Sequence, residues 1–68
     1  MMTEVIIKYS DGWEIKQELK NVVVSQTYVH AVIQTHREQG ILHTIKGITI
    51  HENQQTIIQA YPIPGVQS

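Results

Sequence analysis

Four histidines, His30, His36, His43 and His51, have the widest chemical reach in this 68-residue chain. Imidazole binds transition metals and titrates near neutrality. A metal site, however, needs three or four convergent ligands, usually steadied by partners of their own. Here no HxH or HxxxH pair falls within one element. His30 and His36 are separated by Ala31 to Thr35, which puts them on different faces of a helix. The spacing therefore points to no metal and no cofactor, with His36 edging a core and the other three histidines in solvent.

Nucleophilic and acid–base chemistry have little to build on. Cysteine is absent. Ser10, Ser25 and Ser68 have turn, helix-start and terminal explanations, so none asks for an activating base. Asp11 belongs to a turn, and Glu4, Glu14 and Glu18 read as one solvated face of a hairpin. Gly12, Gly40, Gly47 and Gly65 are isolated, so no phosphate-cradling loop is present. No catalytic residue is assigned, and the expected class is non-enzymatic.

Nucleic-acid binding is the alternative. Five Lys and Arg stand against six Asp and Glu, for a net charge of −1, so there is no general attraction for phosphate. Lys8 and Lys16 share a sheet face, and Tyr9 and Trp13 have rings on which bases stack. Two things oppose that reading. Tyr9 and Trp13 are placed to face one another across a hairpin over the core. Glu4, Glu14 and Glu18 would repel phosphate from the outer face. A small nucleic-acid-associated regulator using that face is thus the second reading.

The elements that position these residues follow from periodicity. Residues 3–9 alternate, with Val5, Ile7 and Tyr9 on one side. Residues 13–19 place Trp13, Ile15 and Leu19 opposite Glu14, Lys16 and Glu18. Asp11-Gly12 suggests a two-residue turn, but that would pair Tyr9 with Glu14 and Ile7 with Lys16. A three-residue loop, Ser10-Asp11-Gly12, pairs Tyr9 with Trp13, Ile7 with Ile15 and Lys8 with Glu14. Each pair then matches in character. The loop is a type I turn closed by a bulge, with Gly12 left-handed.

A helix follows. Ser25 is its expected N-cap, with Val24 and Val29 as a hydrophobic staple. Tyr28, Val29, Val32, Ile33 and His36 form one stripe. Gly40 suits the position past the helix end. Many of these residues are β-branched, so the helix depends on tertiary packing. Residues 41–51 read as a strand interrupted by a bulge near Gly47, where Ile45 and Ile48 break the alternation. Residues 52–55 contain a turn, and 56–61 form a last strand in which either Ile57 or Ile58 faces away from the core. Pro62 and Pro64 stop it.

The order is ββαββ: an α+β domain over residues 1–61 with an extended Pro-containing tail, 62–68. A crossover helix makes the third strand parallel to the second, so it can lie antiparallel beside the first. The expected sheet is four-stranded and mainly antiparallel, in the order second-first-third-fourth, with the helix on one face.

Size supplies the functional expectation. A domain of about this length buries only about 60% of the surface of its unfolded chain. Small chains commonly gain stability from disulfides, metals or partners, and without cysteine a partner is the natural source. The expected function is a protein-interaction module that self-associates, and that modulates a heterologous protein as a further possibility. A homodimer is expected to bury Ile6, Ile57, Ile58, Tyr61 and Ile63, because residues 56–61 form an edge strand without charge. The charges of Glu14, Lys16, Glu18 and Lys20 read as discouraging pairing at the other edge. No run is long enough to cross a membrane, and Met1-Met2-Thr3-Glu4 lacks the basic flank of a secretory signal, so a cytoplasmic protein is expected. Size and glutamine-rich texture are compatible with a small phage or mobile-element accessory protein.

Overall fold

In the computed structural model, residues 2–62 are described. Ile63, Pro64 and the rest of the expected tail lie outside them. The order of elements is β1 (Thr3–Tyr9), β2 (Glu14–Leu19), α1 (Val22–Glu38), a short 3-10 turn (Leu42–Thr44), β3 (Ile45–His51) and β4 (Ile57–Tyr61). One open sheet has the order β2-β1-β3-β4, and every neighbouring pair is antiparallel. The ββαββ architecture and the strand order match the expectation. The connection from β2 to the parallel β3 carries the helix, whose Val29 packs among residues of the two central strands.

The first hairpin has the expected register. Ile7 pairs with Ile15 and Lys8 with Glu14. Tyr9 N–H donates to Trp13 O at 2.8 Å, and Gly12 has φ 98°. Trp13 nevertheless departs from expectation. It lies outside β2 and is 73% exposed. The ring beside Tyr9 is that of His36, at a centroid distance of 5.9 Å. The helix stands over the central strands, so the edge strand β2 receives little cover. Ile15, on the helix side of β2, is for the same reason 46% exposed.

The helix begins a turn earlier than the Ser25 cap implies. Asn21 is the N-cap: its Oδ1 accepts from Val24 N–H at 2.9 Å. Ser25 is fully buried inside the helix, and its Oγ has no hydrogen-bond partner. The staple is lost with that cap, and Val24 is exposed. The stripe itself holds: Val29 is buried, and Tyr28, Val32 and Ile33 pack against the core. The helix closes as expected around Gly40, whose φ is 73°. Gly40 N–H donates to Arg37 O and Ile41 N–H to His36 O, which is a Schellman closure.

The third strand is shorter than expected, because residues 42–44 form the 3-10 turn. The bulge near Gly47 is present: Lys8 pairs with Gly47 and Tyr9 with Ile45, leaving Lys46 as the extra residue. A second irregularity lies on β4, where Ile48 pairs with Tyr61 and Thr49 with Gln59, so Ala60 is extra. The core consists of Val5, Ile7, Val29, Ile45, Ile48 and Ile50.

Candidate functional site

Catalytic candidates separate rather than converge. His36 lies at the core edge, as expected. Its Nδ1 is 2.7 Å from Val32 O and its Nε2 is 3.1 Å from Tyr9 Oη. A carbonyl only accepts, so Nδ1 carries a proton and donates to it. With the imidazole neutral, Nε2 accepts from the Tyr9 hydroxyl. Both ring nitrogens are thus engaged, Nδ1 within the helix and Nε2 in joining helix to sheet. His30 and His43 are exposed, while His51, expected in solvent, is half-buried on β3. Among the described residues, no group of three His, Asp, Glu or Cys is placed to hold a metal ion.

One shallow, open cleft of about 320 Å³ gathers titratable groups: Glu4, Glu18, His51 and Glu52, beside Met2, Thr3, Asn53 and Gln54. Register explains it. Glu4 sits opposite Glu18 on one side and His51 on the other. A histidine beside carboxylates is acid–base material, but the cleft is shallow and open to water, so it does little to desolvate a substrate. His51 Nε2 is instead 3.2 Å from the Thr49 hydroxyl. What the cleft does show is a like-charge pair, Glu4 opposite Glu18, which is unfavourable in an isolated sheet.

The uncovered sheet face is ordered in cross-strand rows. One row runs Glu18, Glu4, His51, Ile57, and the next Lys16, Ile6, Thr49, Gln59. A third begins Glu14, Lys8, Gly47. The choice between Ile57 and Ile58 is thereby decided. Ile58 pairs with the buried Ile50 and packs against the core, whereas Ile57 pairs with His51 and is 56% exposed. Of the residues expected at an interface, Ile6 and Ile57 are on the open face. Ile58 and Tyr61 are on the helix side, partly buried within the protomer. Ile63 lies outside the described residues.

The two edges differ. β4 is short, carries the irregularity at Ala60 and runs into Pro62, which has no N–H to donate. β2 pairs with β1 without interruption from Glu14 to Leu19. Its register carries no irregularity, and sequence reasoning passed over this edge because its residues are charged. No helix is long and apolar enough to cross a membrane. No protein-family model, curated protein or solved structure matches the chain.

Proposed function

We propose that this chain is a non-enzymatic protein-interaction module that self-associates through an open edge of its sheet. The observation that carries the reading is the balance of apolar burial. Among the described residues, the buried apolar core has six members, while seven large apolar side chains remain exposed, Trp13, Val23 and Ile57 among them. Scattered exposed apolar residues are ordinary in a large protein. In a domain this small they amount to as many side chains as the buried core holds, and an open sheet whose two edges have no partner strand among the described residues gives them a route to burial. β4, with the exposed Ile57, is one such edge and β2 is the other.

Sedimentation of the purified chain at micromolar concentration tests this, with twice the chain mass expected. A well-folded monomer at high micromolar concentration would overturn it and transfer the weight to a heterologous protein partner. A single-stranded oligonucleotide bound by that monomer, and released steeply by salt, would favour the nucleic-acid reading.

A further inference from the structure

We propose that β2 is a self-recognition edge: two copies pair antiparallel through it, about a two-fold axis at Gln17, and the charges along it specify the register. The proposal rests on the reading that the chain self-associates, and identifies where.

Backbone direction comes first. Tyr9 donates its N–H to Trp13 O, and Tyr9–Trp13, Ile7–Ile15, Val5–Gln17 and Thr3–Leu19 follow one another at alternate positions. In an antiparallel ladder alternate residues turn both backbone polar groups to the same neighbour. Ile15, Gln17 and Leu19 therefore satisfy β1. Glu14, Lys16 and Glu18 turn their N–H and C=O groups outward, to an edge where no further strand lies among the described residues.

The sequence along that edge is Glu14-Ile15-Lys16-Gln17-Glu18-Leu19-Lys20. Laid antiparallel on itself about Gln17, it is self-complementary at every position. Glu14 meets the partner's Lys20, and Lys16 meets the partner's Glu18, with the symmetric contacts repeated. Ile15 meets the partner's Leu19, and Gln17 meets its own copy. Residues whose backbone groups point outward are paired with one another, as hydrogen-bonded pairs require, and every side chain keeps its face of the sheet. The register is also the one charge selects. A shift by two residues one way sets Lys16 against Lys16, and the other way Glu18 against Glu18. Opposite charges directly across strands stabilise and like charges destabilise.

Two features of the protomer fit this arrangement. Glu18 is opposite Glu4 and Lys16 is opposite Ile6, so neither has an opposite charge directly across from it at home. A second copy supplies one to each. The apolar residues that the helix leaves exposed on this edge, Trp13 and Ile15, lie at the seam, Trp13 level with the partner's Asn21. The first turn beyond that cap carries the exposed Val23 and Val24. Lysines on an edge deter indiscriminate pairing. With this spacing they deter other strands while admitting the same one.

The test is a charge swap read by sedimentation on the full chain. Lys16→Glu alone and Glu18→Lys alone each place like charges at both symmetric contacts. Each should raise the dimer Kd about tenfold or more. Folding should survive, since both positions are exposed and Glu18→Lys gives Glu4 an opposite charge. An equimolar mixture of the two single variants should form a one-to-one heterodimer, and the double variant should recover the homodimer. Single variants that dimerise like the parent would overturn the proposal. If Ile57→Lys then dissociated the parent dimer, self-association would stand with its interface at β4. A parent chain that is monomeric throughout would overturn both.

Discussion

Replacing Ser25 by alanine should stabilise the protein, although the local sequence reads as if it would weaken a helix cap. Ser25 sits one turn inside α1, fully buried, and its Oγ has no hydrogen-bond partner. A buried hydroxyl without a partner loses its water bonds and gains nothing, at a cost of about 1–3 kcal/mol. Alanine removes that group and adds a few tenths of a kcal/mol of helix propensity, roughly. Against this stands the small void left by one oxygen atom, so the net expectation is a gain of about 1 kcal/mol, or about 4–8 °C in Tm for a domain of this size. Urea unfolding followed by far-ultraviolet circular dichroism, at matched protein concentration, measures it. Trp13 fluorescence is a poor probe, since that ring is largely in water already. The companion variant Asn21→Ala removes the acceptor of Val24 N–H and should lose about 1 kcal/mol. A loss of stability in Ser25→Ala, with Asn21→Ala neutral, would refute the placement of the helix start.

Gly12→Val should cost on the order of 1–3 kcal/mol in the same assay. Nothing lies within 4 Å of the position where a Cβ would stand, so the whole cost is backbone strain at φ 98°. A neutral result would mean that the loop takes another turn type. Ile48→Ala should remove about 2–5 kcal/mol, because the side chain is fully buried between sheet and helix. In a small domain that is a large fraction of the total, and loss of the cooperative unfolding transition at room temperature is the expected outcome. Retention of near-parent stability would contradict the position of the core.

Local chemistry alone determined a good deal of this protein. Charge and apolar matching across Ser10-Asp11-Gly12 selected a three-residue loop over the two-residue turn that Asp-Gly first suggests, because a one-residue slip would move every side chain to the other face. The break between Ile45 and Ile48 marked the bulge, and Gly40 marked the helix end. Those are short-range constraints, written within a few residues of where they act. Tertiary structure decided the rest. Asn21 and Ser25 are both good caps, and which one the helix uses depends on where β2 delivers the chain. Ile57 and Ile58 are chemically alike, and only the pairing of Ile58 with buried Ile50 turns one inward. Trp13 is apolar enough for a core, yet the helix covers the central strands and leaves the edge exposed. The same geometry changes the meaning of Glu14, Lys16 and Glu18. In sequence they are a solvated face, whereas on an unpaired, uninterrupted edge their order becomes a pattern that another copy can match. That difference arises because charge identity is local, but which backbone groups lack a partner is settled only when the sheet is complete.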